Sequence, residues 1–261
     1  MNLIVCVKQV PNTTEVRIDP KTNTLIREGI DSILNPFDAY ALEEAVQIKE
    51  QHGGTVTALT MGPPQAEQVL REAISVGADK AVLLSDPAFA GADTLATSYT
   101  LARAIRKLGD FQLILCGKQA IDGDTAQVGP GIAVHLDLPQ VIFVRRIRDI
   151  SGTELVAERM TETGFEAVRA KLPALVTVVK DINQPRLPSL RGKMTAAKAE
   201  IPVWTVKDLD LESGRIGLQG SPTWVRKVFS PQPRSGGRRF EGEPTAVVDE
   251  FIRTLKEDGM L

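Results

Sequence analysis

The first half of the chain alternates between two hydrophobic periods. The run "LIVCV" (residues 3–7) is continuously apolar and rich in β-branched residues, as a strand buried on both faces must be. "TVTALTM", "KAVLLS", "FQLILC" and "PQVIFV" repeat that pattern at residues 55–61, 80–85, 111–116 and 139–144. The stretches between them place apolar residues at helical spacing. In "NPFDAYALEEAVQIKEQHGG", Asn35 is a candidate N-cap with Pro36 at the first helical position. Ala41, Leu42, Ala45, Val46 and Ile48 form the apolar stripe, and Gly53-Gly54 ends the helix. "PPQAEQVLREAISVG", "DTLATSYTLARAIRKLG" and "TAQVGPGIAVHLD" read as further helices, the last beginning near Asp124-Thr125. Strands that alternate with helices predict right-handed βαβ units. The expected fold is therefore α/β, a doubly wound, mostly parallel sheet of Rossmann-like type.

Other segments obey different rules. "TEVRID" and "TLIRE", joined by "PKTN", alternate as a surface hairpin does. After Arg145 the pattern changes, and "ELVAERM" and "FEAVRAKLPALVTVV" read as strands of a β-meander. Residues 182–202 are proline-rich with a basic balance. Residues 220–242 are rich in Pro, Gly, Ser and Arg, a composition expected of an arm outside the compact fold. "PTAVVDEFIRTLKEDGML" comes last and reads as a terminal amphipathic helix. This predicts an α/β domain over residues 1–219 and an arm with its helix over 220–261.

Bulk composition narrows the function classes. With 261 residues, 43% of them hydrophobic, a large core is available. A formal net charge of −2 gives nucleic-acid binding no global support. No run approaches the roughly 20 apolar residues that span a membrane. "MNLIVCVKQVP" lacks the charged start of a secretory signal, so the expectation is a cytoplasmic protein. The two cysteines, Cys6 and Cys116, end apolar runs and read as small buried hydrophobes. With only His52 and His135 besides, scattered along the chain, no metal site is expected.

In a doubly wound sheet, ligands bind beyond the carboxyl ends of the strands. The residues just past each strand are Cys6, Val7 and Lys8; Met61, Gly62 and two prolines; "DPAFAGADTLATS"; and "GKQAIDGDTAQVGP". Asn35-Pro36 enters from another helix start. This set is rich in Gly, Ala, Thr, Ser, Asn and Gln, and poor in Lys, Arg and His. It offers backbone amides, hydroxyls and helix N-termini, which suit a phosphate, a ribose or a flat ring. Each piece also has a plainer reading. Asp93 and Asp124 serve as N-caps, Thr94 and Thr97 as first-turn residues, and Gly62-Pro63-Pro64 as a turn. No G-x-G-x-x-G, P-loop or G-x-S-x-G motif occurs, and neither histidine lies near a strand end, so no catalytic residue is assigned. A binding or redox subunit whose cofactor carries the chemistry fits better.

"VCVKQVPNT", "ILNPFDAYALEEAVQIKE", "MGPPQAEQVLREAISVGAD", "GADTLATS", "LILCGKQAIDGDTAQVGP" and "RLPSLRGKMTAAKAEIPV" stand in the order found in electron transfer flavoprotein β subunits. The resemblance covers essentially the whole chain, and "GKQAIDGDTAQVGP" is its most specific piece. It implies a heterodimer with an α subunit that carries FAD. It also implies a nucleotide in this subunit: a second FAD in the electron-bifurcating branch of anaerobes, where NADH is the donor, or structural AMP in the respiratory branch. "FAGADTLATS" resembles the bifurcating branch. By resemblance, Gly117 and the stretch Asp122, Gly123, Asp124, Thr125, Ala126, Gln127, Val128, Gly129 and Pro130 wrap the adenosine diphosphate moiety. Cys6, Asn35, Met61 and Gly62 lie around adenine and ribose. Asp93, Thr94 and Thr97 lie towards a flavin ring, for which Gly91 and Ala92 leave room. "PRLPSLRGKM", within residues 183–200, matches the family's docking loop for acyl-CoA dehydrogenases or related flavin dehydrogenases. Leu190 is its apolar anchor beside Arg191, with Arg186 and Lys193 as steering charges. The alternative is a proline-rich loop that packs Leu187 and Leu190 inward. From another class, the alternative is a stand-alone nucleotide sensor or hydrolase, which would need a basic phosphate clamp or a positioned base.

Overall fold

The computed structural model describes residues 1–12, 32–226 and 236–261. It divides into a unit Met1–Arg226 and a unit Lys227–Leu261. The expected hairpin of "TEVRID" and "TLIRE" lies outside the described residues.

The first unit is built on one nine-stranded sheet. Strand β1 (Asn2–Cys6) sits near its centre. Two short strands, β2 (Gln9–Pro11) and β3 (Ser32–Leu34), form a separate antiparallel pair. Then come α1 (Pro36–His52), β4 (Thr55–Met61), α2 (Glu67–Val76), β5 (Lys80–Leu84), α3 (Thr94–Leu108), β6 (Leu113–Gly117) and α4 (Val128–Leu136). This is the predicted alternation. Strand β7 (Gln140–Ser151) extends the same sheet by pairing with β8 (Glu154–Thr161), and β8 with β9 (Gly164–Lys171), both antiparallel. Strand β10 (Ala174–Val178), α5 (Leu190–Lys198) and the short β11 (Val203–Trp204) complete the unit. The sheet order is β11-β5-β4-β1-β6-β10-β7-β8-β9, and every pair from β11 to β7 is parallel.

One expectation is corrected here. "FEAVRAKLPALVTVV" is not a single meander strand. Pro173 has no N–H to give the antiparallel ladder, and the chain breaks there. Ala174–Val178 is buried at every position and inserts between β6 and β7, parallel to both. A continuous apolar run of that kind belongs in the middle of a parallel sheet.

Apolar side chains cover both faces. Leu42, Ala45, Val46, Leu70 and Ala73 of α1 and α2 pack with Leu3, Val5 and Leu115 on one side. Ala102, Ile105 and Ile132 of α3 and α4 pack with Ile4, Leu59 and Ile114 on the other. The stripe predicted for α1 is buried as expected.

The second unit holds α6 (Pro244–Glu257), with Pro244 at its first turn. Phe240 and Phe251 meet edge to face at 5.7 Å. Val248, Phe251 and Ile252 stay exposed. Among the described residues, no helix is long and apolar enough to cross a membrane.

Candidate functional site

The order of the sheet fixes where a ligand can enter. From β1 the chain runs through α1 to β4 on one side, and later returns through α3 to β6 on the other. Helices therefore diverge to opposite faces at the carboxyl ends of β1 and β6, leaving a crevice between those ends. Cys6 and Cys116 face each other there in register, both free and buried. The Cys116 thiol is pushed up by its hydrogen bond to Cys6, with burial and the Asp38 carboxylate adding to the effect. Cys116 therefore stays a neutral thiol.

Helix α1 starts beside the crevice, and Asn35 is its N-cap residue, but not with its side chain. The fully buried Asn35 amide instead donates to Gln119 O at 2.9 Å and accepts from Ile121 N at 3.2 Å. It staples the 117–127 loop to the start of α1. One turn on, buried Asp38 accepts from Lys8 N at 2.8 Å and from Gly117 N at 3.2 Å, tying the ends of β1 and β6 together. Burial pushes its carboxyl up to about 7, against the pull of Asn35 and of the Lys8 and Gly117 amides. Gly117 is required here, because a Cβ would stand 2.4 Å from Asp38 Oδ1 and 2.6 Å from Phe37 C. Sequence reading missed Asp38. An acidic residue in a first helical turn looks like an ordinary dipole partner.

The loop itself corrects a second expectation. Helix α4 begins at Val128 with Gln127 as its cap residue, not near Asp124-Thr125. Asp124 and Ala126 hold positive φ, 47° and 54°, and left-handed residues cannot start a right-handed helix. Asp124 is no N-cap; its carboxylate accepts from Gln119 Nε2 at 2.6 Å. Left-handed Ala126 precedes right-handed Gln127, an alternation that turns successive amides toward one side as an anion-binding nest. Among the described residues, the amides of Thr125, Ala126 and Gln127 meet no acceptor. Gly123 is open and exposed. Gly129 is buried, where a Cβ would come within 2.7 Å of Thr177 Cγ2, so the start of α4 sits hard against β10. Pro130 is half-buried in the first turn. At the loop's tip, Asp122 takes both oxygens to Lys8 Nζ at 2.6 and 2.8 Å, closing a bridge from β1.

The other wall is the start of α3. Asp93 is its N-cap, accepting from Leu95 N at 3.0 Å and Ala96 N at 3.1 Å. Its second oxygen accepts from Thr223 N and Oγ1 at 3.1 and 2.8 Å. Partial burial pushes this carboxyl up, but the Ala96, Thr223 and Leu95 hydrogen bonds outweigh it and hold it below the usual range. Both oxygens are thus engaged within the protein. Thr94 Oγ1 donates to Gln127 Oε1 at 2.9 Å, joining the two helix starts. Thr97 is half-buried one turn further in. Met61 and Gly62 lie at the end of β4, with Gly62 N bonded to Leu84 O at 3.0 Å. Gly91 was expected to leave room for a ring. A Cβ there would meet Leu218 Cβ at 3.2 Å, so Leu218 packs on that side of Gly91.

Leu190 and Arg191 are elsewhere, at the start of α5, which packs on α2. The expected loop is thus part helix: Ser189 caps it, accepting from Gly192 N at 2.9 Å. Leu187 and Leu190 are 89% and 78% exposed, so the inward-packing alternative fails. Arg186 is not a free steering charge, since Glu43 and Glu50 engage it.

Two helix starts and a turn with unmatched amides thus come together at the strand-order switch. The model of the electron transfer flavoprotein domain matches residues 22–209. This chain belongs to the electron transfer flavoprotein family. It is 50% identical over 256 residues to the electron transfer flavoprotein subunit beta of Thermoanaerobacterium thermosaccharolyticum, covering 98% of each chain. It is 49% identical to the caffeyl-CoA reductase–Etf complex subunit CarD of Acetobacterium woodii, again over 98% of each. The protein FixA of Azorhizobium caulinodans is 45% identical over all of this chain and 92% of its own. The chain is therefore an electron transfer flavoprotein β subunit, with a role in electron transfer. That membership sets aside the stand-alone sensor or hydrolase. In this β subunit α5 is a separate, outward-facing feature.

Proposed function

We propose that the crevice binds FAD and that this subunit passes electrons between NADH, an FAD of the α subunit and a flavin dehydrogenase, by bifurcation. The observation that carries the nucleotide reading is the Ala126-Gln127 nest at the start of α4, with its unmatched amides. These groups fit a pyrophosphate, since successive unmatched amides at the accessible start of a helix offer donors to an anion. Thr125 and Gln127 face phosphate or ribose, and Cys6, Asn35 and Met61 frame adenine and ribose. The bound flavin supplies the redox chemistry. The chain's own part is to hold the phosphates, orient the ring with Thr94 and Thr97, and exclude water.

AMP is the second reading, and the packing of Leu218 on Gly91 favours it, because it closes space beside α3. Flavin counting and nucleotide extraction from the purified αβ heterodimer decide between them. The expected result is two FAD per heterodimer, one of them reduced by NADH. Thr94→Val with Thr97→Val then impairs the NADH-linked flavin and leaves the other in place. AMP in the extract, with one FAD per heterodimer, overturns the bifurcating reading.

Exposed Leu190, beside Arg191 and Lys193, is the proposed anchor for an acyl-CoA dehydrogenase or related enzyme. The name of the Acetobacterium woodii relative, a subunit in a complex with a CoA-ester reductase, supports that partner class. Leu190→Ala should slow transfer to the partner by on the order of 2 kcal/mol or more and leave flavin content unchanged. Unchanged transfer kinetics would remove Leu190 from the interface.

A further inference from the structure

Side chains of α1 hold the segment that precedes the docking helix. Arg186 donates through Nε and Nη2 to Glu43 at 2.8 and 3.0 Å, and through Nη1 and Nη2 to Glu50 at 2.6 and 3.0 Å. Its backbone N–H also donates to Glu43, at 3.2 Å. Glu43 is only 3% exposed and takes a further bond from Gln47 at 2.7 Å. One carboxylate is thus buried and fully matched, and the other closes the fork from about two turns further along α1. Three residues earlier, Asn183 Nδ2 donates to Glu44 Oε2 and Tyr40 O at 2.9 and 3.0 Å. On the far side, α5 is seated on α2. Gly192 lies so close that a Cβ would stand 2.1 Å from Ser75 O. Arg71 Nη1 binds the Ala196 carbonyl at 2.5 Å. Between these two attachments, Leu187, Leu190 and Met194 are left exposed.

We infer that Glu43, Arg186 and Glu50 form a positioning clamp that fixes the 182–189 segment on α1 and so presets the apolar docking surface for its partner. The inference rests on the docking reading above. The physical argument is one of ordering. Two prolines, Pro185 and Pro188, and a two-carboxylate fork remove freedom from the segment before the partner arrives, so less entropy is lost on binding. A bidentate guanidinium is suited to this because it fixes direction as well as distance. The fork's hydrogen bonds join only Arg186, Glu43 and Glu50 and reach no residue of the strand-end crevice, so its action falls on association and not on the flavin.

The test uses the αβ complex with Glu43→Gln and Glu50→Gln combined, and separately Arg186→Lys, which keeps the charge and loses the fork. Hydrogen exchange should speed up at amides 186–198 while α1 and the sheet keep their protection. The KM for the acyl-CoA dehydrogenase of the same organism should rise about tenfold, with kcat and flavin content unchanged. Unchanged exchange at 186–198 in both variants overturns the clamp. Faster exchange with an unchanged KM, where Leu190→Ala does raise KM, shows that the order of the segment is irrelevant to docking and overturns its positioning role. If Leu190→Ala also leaves KM unchanged, the docking reading itself has failed, and the role given to the clamp falls with it.

Discussion

At Asp38 two demands oppose each other. Its oxygens receive the Lys8 and Gly117 amides, which favour the ionised form, while burial favours the neutral one and wins. The folded carboxyl ionises at about 7, against an ordinary value of 3.8. Between those values the folded state keeps a proton that the unfolded chain has lost. Asp38 therefore makes stability fall as pH rises from about 4 to about 7, with the full cost present above the folded value. Asp38→Asn should flatten that slope in urea unfolding. It should also cost about 1–3 kcal/mol near pH 5, because a single amide oxygen cannot accept from both N–H groups. An unaltered slope between pH 5 and pH 8 would show that Asp38 does not titrate there.

Elements meet at this site through glycines as much as through hydrogen bonds. Gly131 lies on α4 where a Cβ would stand 2.6 Å from Ser98 Oγ, and Ser98 is itself bonded to Leu95 O at 3.0 Å. Helices α3 and α4 are thereby held close enough for Thr94 to reach Gln127. Gly131→Ala improves helix propensity yet should destabilise the protein by about 1–3 kcal/mol, since overpacking outweighs the propensity gain. It should also spread the two helix starts. The expected outcome is loss of bound nucleotide during gel filtration, measured by extraction, and a lower thermal midpoint. Retention at the wild-type level would show that the nest tolerates that shift.

For the whole molecule, among the described residues of the unit Lys227–Leu261, every large apolar side chain on α6 is outside the buried set. A short helix without a packed face is marginal in water, so its partner is expected to be the α subunit. Removing residues 227–261 should abolish co-purification of the two subunits. The circular dichroism of the remaining α/β unit should be unchanged, because its two apolar layers lie within Met1–Arg226. Co-purification of the shortened chain would assign the contact to the first unit.

The sequence alone determined the βαβ alternation, the apolar stripe of α1 and the sheet edge at which the candidate residues of the strand ends meet. These depend on local period and on a general rule of sheet topology, both legible in residues near one another. It also singled out Leu190 and the 117–130 stretch. Only the tertiary structure decided the rest. It placed β10 between β6 and β7, because a strand's neighbours are chosen by burial across the fold and not by adjacency in sequence. It delayed α4 to Val128, because left-handed residues at Asp124 and Ala126 are imposed by a loop stapled to Asn35 and by a bridge to Lys8. It gave Asp38 and Arg186 their roles, since a charge's work depends on partners far away: Gly117 is 79 residues from one, and Glu43 is 143 from the other. Hydrophobic period reports what must be buried, whereas which buried polar groups answer each other is settled only when distant segments close on one another.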